Sequence, residues 1–397
     1  MSLLPVAEAQ ARLLALAAPL PVEQAGLLAS RGRWLAQPLA ALRDQPWADL
    51  SAMDGYAIRA ADLPGPWRLT GESRAGGIAP ATPLRPGETM RIFTGAPLPA
   101  GADTVLVQEE AGVEGDMIRL TGEGPGTAGR NVRLRASDFA LASPLLDAGI
   151  HLGPAQLALV AIAGHAHLPV RRAPRVALIG TGDELVPIGT APGPGQIPAS
   201  NSVMLAAMLA DAGADVIDVG LVPDDLVTLT QAFRAAAATA DIIVSTGGAS
   251  VGDHDLVAPA ILGAGGALDF WKIAMRPGKP LMAGRLGEGL VLGLPGNPVS
   301  AFVTATLFLL PLVRHLSGSP APLPAFLSMP TRIAFPRGGS RSEYVRVTVA
   351  DNEVATLANR DSGALLPLAR SNALVERPIE APPAAVGDLV RVLRIDA

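Results

Sequence analysis

The sequence of 397 residues contains no cysteine. This excludes thiolate nucleophiles, CxxC redox chemistry and cysteine-zinc sites together, and it leaves no disulfide framework. Lysine is almost as scarce: of 31 lysine and arginine positions only Lys272 and Lys279 are lysine, both inside WKIAMRPGKP. Wherever a generic positive charge suffices this chain uses arginine, so two lysines seven positions apart mark places where a compact ammonium differs from a planar guanidinium. The 5 histidines show no HExxH, and none of the others is near His254 in sequence, so His254 reads as a loop or supporting residue and not a zinc ligand. No basic run or basic amphipathic stretch is present, and the net charge of -5 argues against nucleic-acid or anionic-membrane partners. No long hydrophobic run occurs either. The most apolar segment, Val299 to Val313, carries Pro311 and falls short of the roughly 20 residues that a membrane span requires. At the amino terminus Glu8 and Arg12 interrupt the apolar pattern and no basic region precedes it, so it reads as an amphipathic helix and not a signal peptide. A cytoplasmic protein is expected.

A chain of this length exceeds one ordinary core, and roughly two to four domains are expected. Residues 1 to about 45 are Ala/Leu-rich and helical in pattern, whereas 52 to 138 are dense in Gly, Pro and short β-type runs. In that stretch ADTVLVQEE and DMIRL around a Gly-containing turn predict a hairpin. Helical character returns at PAQLALVAIA, in a position to pack back onto the N-terminal helices. From Pro174 strand-like and helical runs alternate, which is the βαβ signature of a mostly parallel, helix-covered sheet. Beyond about 320 the pattern is β again: SEYVRVTVADNEVATLAN predicts a hairpin and DLVRVLRI a closing strand.

Ligands of open parallel sheets bind beyond the carboxyl ends of the strands, where loops and helix starts converge. Four such loops follow the predicted strands: Gly180-Thr-Gly-Asp-Glu184, Val222-Pro-Asp-Asp225, Thr246 to Asp255, and Leu294-Pro-Gly-Asn-Pro298. Any one of them reads equally well as a turn, with Asp225 or Asn297 as helix N-cap. Four along one edge predict a single crowded site. Glu184, Asp224 and Asp255 supply oxygens suited to a hard cation such as Mg²⁺, which takes one or two carboxylates plus substrate phosphates. Lys272, Arg276 and Lys279 supply the opposite sign, and glycine amides with the Asn297-Pro298 helix start supply donors for an anion. Carboxylates beside cations are what a phosphorylated ligand with a bridging metal requires.

Several standard motifs fail on inspection. Gly180-Thr-Gly182 begins like a dinucleotide fingerprint, but Leu185 stands where the third glycine belongs. Gly278-Lys279 is no P-loop, because Pro280 replaces the Ser/Thr and the first glycine is missing. Gly248-Ala-Ser250-Val-Gly252 fits GxSxG, yet a nucleophile elbow runs straight from strand to serine, and here Thr246-Gly247 intervene and Asp253-His-Asp255 follows.

Taken together, the residues resemble the molybdopterin molybdenumtransferase family, MoeA, and its relatives in the E domain of gephyrin, over essentially the whole chain. The resemblance is carried by Ser51-Ala-Met-Asp-Gly-Tyr56, Pro86 to Pro97, Gly101-Ala-Asp103 with Gln108-Glu109, and Arg130-Asn-Val-Arg133 with Asp138. It continues through Thr181-Gly-Asp-Glu184, Ser245-Thr-Gly-Gly248, Lys272 to Pro280 and Leu294-Pro-Gly-Asn-Pro-Val-Ser300. It implies a multidomain α/β plus β chain: a discontinuous helical domain (1–50 and 139–172), an inserted small β domain (51–138), a mostly parallel α/β domain that binds the ligand (173–320) and a C-terminal β-barrel (321–397). It also implies a homodimer whose cleft lies between the α/β domain of one subunit and the inserted β domain of the other. Molybdopterin adenylyltransferase and molybdoenzyme-maturation proteins are the implied partners.

The implied activity takes adenylylated molybdopterin and molybdate, releases AMP with Mg²⁺ present, and gives molybdenum cofactor. The absence of cysteine agrees, since the sulfur ligands belong to the pterin. Carried over by position, Asp54 and Thr94 are the inserted domain's contribution to the cleft, and Glu184, Asp224 and Asp255 are the essential acids, with Asp138 a further functional carboxylate. Asp224 and Asp255 are the implied Mg²⁺ ligands. Lys272, Arg276 and Lys279 form the basic motif, with the two lysines stabilising charge on the leaving AMP. Substrate binding falls on Gly180, Thr181, Gly182, Ser245, Gly247, Gly248, Ser250, Pro295, Gly296, Asn297 and Pro298. Arg346 and Ser362 match oxyanion-recognition positions, a pairing that suits a tetrahedral dianion. The sequence departs from the family pattern at Leu50, Ala136-Ser137, Pro198-Ala199 and Pro367. Two other activities remain open from the residues: an adenylyltransferase, which shares a related α/β domain, and a gephyrin-like scaffold.

Overall fold

The computed structural model describes residues 3–247, 256–356 and 361–395. Helix α1 (Val6–Ala15) buries Ala9 and Leu13 in one core cluster with Phe308 and Leu312, and the Gln10 amide donates to the Leu307 carbonyl at 2.8 Å. The helical pattern of residues 1 to 45 extends further than the helix does. Prolines at 19 and 21 stop it, because proline lacks an N–H and its ring clashes with the preceding turn. Val22–Gly26 is instead a strand, paired antiparallel with His167–Arg171. The second helix, α2 (Pro154–Ile162), does not pack on α1. Its Val160 and Leu157 join Leu35, Leu39 and Leu168 in a separate cluster, whereas α1 belongs to the core of the α/β sheet.

Between these pieces a six-stranded sheet runs in the order Thr104–Val107, Gly55–Ile58, Glu88–Ile92, Trp67–Ser73, Met117–Leu120, Ala111–Glu114, around Tyr56, Ile58, Trp67, Leu106 and Ile118. The predicted hairpin forms with a different first arm. Ala111–Glu114 turns through Gly115 into Met117–Leu120, while Thr104–Val107 pairs with Gly55–Ile58, because a 3-10 turn at Gln108–Glu110 separates the two runs.

The alternating region folds as β1 (Arg175–Thr181), α3 (Ser200–Asp211), β2 (Asp215–Val222), α4 (Leu226–Ala237), β3 (Ile242–Thr246), α5 (Val257–Gly263), β4 (Ala267–Trp271), β5 (Met282–Leu286), β6 (Gly289–Leu294), α6 (Pro298–Thr304) and α7 (Leu310–Leu316). The sheet order is β2-β1-β3-β6-β5-β4. β2, β1, β3 and β6 are parallel; β5 turns back antiparallel to β6 through Gly287-Glu288, and the edge strand β4, antiparallel to β5, runs in the same direction as the parallel four. β1 shows why both faces are covered. Val176 and Leu178 meet Leu205 of α3 and Val303 of α6, while Ala177 and Ile179 meet Phe233 of α4 and Ile261 of α5. Side chains alternate along a strand, so an unbroken apolar run means a strand buried on both sides.

The apolar run beyond Asn297 is one helical rod, Pro298–Leu316, in which a π turn at Ala305–Leu309 joins α6 to α7. It is long and apolar enough to cross a membrane by composition, but 78% of its most apolar window is buried in this core. The π turn lies just before Pro311, whose missing donor would otherwise break an ordinary helical ladder. In the C-terminal segment Ser342–Ala350 and Glu353–Thr356 form the predicted hairpin around Asp351-Asn352, and Leu389–Arg394 pairs with both Ala373–Arg377 and Leu327–Pro330. Met275–Arg276 adds to the edge of this sheet, parallel to Ser342–Glu343.

Candidate active site

Three of the four predicted loops meet. Thr181 ends β1, Thr246 ends β3, and Gly296, Asn297 and Pro298 follow β6; with Ser200 and Asn201 from α3 and Gly363 and Leu365 from the C-terminal segment they border a cleft of ≈ 500 Å³. That size suits a ligand of nucleotide scale. The loops touch because glycine permits it. A Cβ on Gly247 would overlap the Thr181 carbonyl oxygen, and Gly247 has φ +102, which L side chains rarely adopt. A Cβ on Gly296 would lie 3.5 Å from the Gly247 Cα.

The fourth loop joins through a side chain. The Thr181 hydroxyl donates to the Asp224 carboxylate, and the Asp224 N–H donates to Asp183 Oδ1 at 3.2 Å. Asp225, next in sequence, is simply the N-cap of α4, accepting from the Thr228 N–H at 2.8 Å and hydroxyl at 2.7 Å. Those bonds hold its carboxyl below the usual range, the Thr228 hydroxyl contributing most. Glu184 borders the cleft, with its carboxylate where a Gly182 Cβ would stand. Gly180, Ser245 and Pro295 are buried behind the cleft wall; Gly180 packs on Leu221, and the Ser245 hydroxyl has no partner among the described residues. Gly248, Ser250 and Asp255 lie outside the described residues. Among the described residues no three His, Asp or Glu side chains group to hold a metal ion.

The basic motif does not border this cleft. β4 lies three strands from β3, about 14 Å at the ~4.8 Å spacing of neighbouring strands. The loop after β4 is tied by its own backbone: Lys272 N–H to Leu281 O at 3.1 Å, and Ile273 N–H to Lys279 O at 2.9 Å. Lys272 has φ +77, and its Nζ stands 5.5 Å from the Trp271 ring centroid. Arg276 pairs with Glu343 at 3.6 Å. Gly278 abuts Thr304 at the end of α6, so the loop packs against that helix. A second, smaller cavity of ≈ 50 Å³ opens there, bordered by Arg276, Val299, Glu343 and Arg346.

Arg346 is buried, and burial pushes its pKa down from the ordinary guanidinium value. It donates to the carbonyls of Ala364 at 2.8 Å and Asp361 at 2.9 Å, so it fixes the turn that carries Ser362. Ser362 accepts from the Asn297 Nδ2 at 3.0 Å. In the inserted sheet Asp54 accepts from the Thr94 N–H at 2.7 Å and hydroxyl at 2.8 Å, bonds that hold its carboxyl below the usual range, the N–H contributing most. Neither residue borders the cleft of its own chain, nor does Asp138, which is exposed and bound through its N–H to Gln45 O at 3.0 Å. Two residues escaped the sequence reading. Asn201 bridges two cleft loops, and Arg91 stands 5.1 Å from the ring centroids of both Tyr56 and Phe93 beside Asp54. The strand-edge rule would have flagged Asn201, since α3 begins over that edge; nothing in the local sequence separates Arg91 from other arginines.

The chain matches the MoeA N-terminal region (domain I and II) at residues 4–164, the "Probable molybdopterin binding domain" at 177–315, and the MoeA C-terminal region (domain IV) at 328–395. It is 36% identical over 370 residues to the molybdopterin molybdenumtransferase of Nostoc sp., covering 89% of this chain and 84% of that one. Identity to molybdopterin molybdenumtransferase 2 of Mycobacterium tuberculosis is 36% over 365 residues, 87% and 88% of the two chains. Among solved structures, the molybdopterin biosynthesis MoeA protein from Pyrococcus horikoshii superposes with a TM-score of 0.84 at 28% identity, over 100% of both chains.

Proposed function

The chain belongs to the molybdopterin molybdenumtransferase (MoeA) family, and we propose that it is a transferase of molybdenum cofactor biosynthesis that inserts molybdenum from molybdate into adenylylated molybdopterin and releases AMP. The observation that carries this reading is the convergence of the β1, β3 and β6 loops on one cleft, with the Asp224 carboxylate tethered to it through Thr181.

Roles follow from what each residue can donate or accept. Asn297 and Pro298 open a long helix toward the cleft, and a helix start favours phosphate oxygens. Asp224 accepts the Thr181 hydroxyl on Oδ1 only, which leaves its second oxygen for a cation. That open carboxylate oxygen suits a hard cation, and Asp224, with the Asp255 that the resemblance assigns, would hold Mg²⁺, which when bound would neutralise the pyrophosphate bridge. Lys272 and Lys279 would meet charge building on the departing AMP, while Ser362 and the turn held by Arg346 would take the molybdate oxyanion.

Completion of the site by a second copy is part of the same proposal. Asp54 and Thr94 stand exposed or half-buried on the inserted sheet, rigidly paired and away from their own cleft, as a contribution to another subunit's cleft would require. The C-terminal segment reads as a small barrel, because Thr331 after Leu327–Pro330 bridges Val354 of Glu353–Thr356 and so returns the strand path to its start. The test is AMP release from adenylylated molybdopterin with molybdate and Mg²⁺. Appearance of adenylylated pterin from molybdopterin and Mg-ATP without molybdate would replace this reading with adenylyl transfer.

A further inference from the structure

Beyond the strand ends the β3 and β6 loops have no ladder to hold them. Their pairing stops at Thr246 opposite Leu294, and the chain continues as Gly247 on one side and Pro295-Gly296-Asn297 on the other. Glycine has more backbone freedom to lose than any other residue, at an entropic cost whenever a ligand needs one geometry. One side chain spans the gap. From the first turn of α3, the Asn201 Nδ2 donates to the Thr246 hydroxyl at 2.9 Å and to the Gly296 carbonyl at 2.7 Å.

We propose that Asn201 is a positioning residue, whose amide sets the separation of the two loops and the orientation of the Gly296–Asn297 peptide at the start of α6. A peptide unit is planar, so fixing the Gly296 carbonyl also fixes the direction of the Asn297 N–H. That N–H belongs to the residue that opens α6 and borders the cleft. A structural role alone does not account for Asn201. It borders the cleft, and its Oδ1 is buried with no donor among the described residues, a cost that an ordinary helix residue would avoid. The proposal rests on the functional reading above, in that the cleft takes the adenylylated substrate.

Asn201→Asp is the sharpest test, because it keeps shape and size while removing both donated hydrogens: the Gly296 carbonyl then faces a carboxylate oxygen, and Thr246 stays bound only by turning its hydroxyl to donate. Calorimetric AMP affinity is expected to fall about tenfold or more, and KM for adenylylated molybdopterin to rise, with the thermal midpoint little changed. Thr246→Val removes one of the two acceptors and should give a smaller loss in the same direction, and its cost in the Asn201→Asp background should differ from its cost alone, as for residues in direct contact. Wild-type affinity and KM in Asn201→Asp would overturn the positioning role. Should Asn201→Asp fail to fold, unchanged AMP affinity in Thr246→Val overturns it. A wild-type protein that neither binds AMP nor releases it defeats the functional reading instead, so the two failures are distinct.

Discussion

The Asn297 Nδ2 donates to the Ser362 hydroxyl at 3.0 Å, and the Val299 N–H, two residues along, donates to the Ser362 carbonyl at 3.0 Å, so Ser362 meets the start of α6 at two points. The C-terminal segment is thereby fastened to the helix start that borders the cleft. Movement of one carries the other, and the two cavities on either side of α6 share this fastening.

Ser362→Ala removes the hydroxyl contact and keeps the backbone one. A single neutral hydrogen bond contributes about 0.5–1.5 kcal/mol, so stability should fall by no more than about 1 kcal/mol. Because Arg346 is already engaged with the Ala364 and Asp361 carbonyls, the hydroxyl is the nearer donor for an oxyanion. The molybdate concentration for half-maximal AMP release should rise several-fold, with the rate recovering at saturation. A rate loss independent of molybdate would place Ser362 outside oxyanion recognition.

Gly247→Ala should be far more damaging than its size suggests. The new methyl group would overlap the Thr181 carbonyl oxygen, and both partners are backbone at a strand end with little freedom to yield. Loop separation rather than folding should take the strain, so AMP binding is expected to be lost with a moderate fall in thermal midpoint. Thermal denaturation with and without AMP checks both parts.

Much of this was legible in the sequence, and the reasons for the rest are physical. The strands of the α/β sheet were readable because burial on both faces leaves near-continuous apolar runs such as Val176 to Ile179. Strand β5, which pairs β6 to β4, and the reassigned arm at Thr104–Val107 were not, since pairing partners are chosen by long-range packing, which local pattern does not carry. The strand-end rule brought Thr181, Gly247 and Asn297 to one cleft. It placed Lys272 and Lys279 at the same edge without revealing that β4 lies three strands away from β3, because strand order in a sheet depends on packing rather than on loop composition.

The basic motif yields a graded expectation. Arg276 is mostly exposed and paired with Glu343, so Arg276→Lys should change AMP release by less than about twofold, as befits a surface pair of small energy. Lys272 and Lys279 are half-buried in a loop pinned by its own backbone, where a longer planar guanidinium has little room. Lys272→Arg and Lys279→Arg should each lower kcat about tenfold or more. Equal tolerance at all three positions, measured as single-turnover AMP release, would make the two lysines a coincidence of composition.

Asp54 and Thr94 offer a check that needs no substrate. The Thr94 N–H, and after it the Thr94 hydroxyl, hold the Asp54 carboxyl below the ordinary value of about 3.9. A carboxyl depressed on folding adds stability that is present above its unfolded pKa and lost as pH falls through the folded one. The window is therefore acidic, below about pH 4, and Asp54 stays ionised at neutral pH whether or not the hydroxyl is there. Thr94→Val removes the hydroxyl and keeps the N–H, the larger cause. Carbon-detected titration of the Asp54 carboxyl should show its midpoint move part of the way back toward 3.9. A midpoint that stays at the wild-type value would assign the whole shift to the backbone, and one that returns fully would mean that the Thr94 loop had let go of Asp54 altogether.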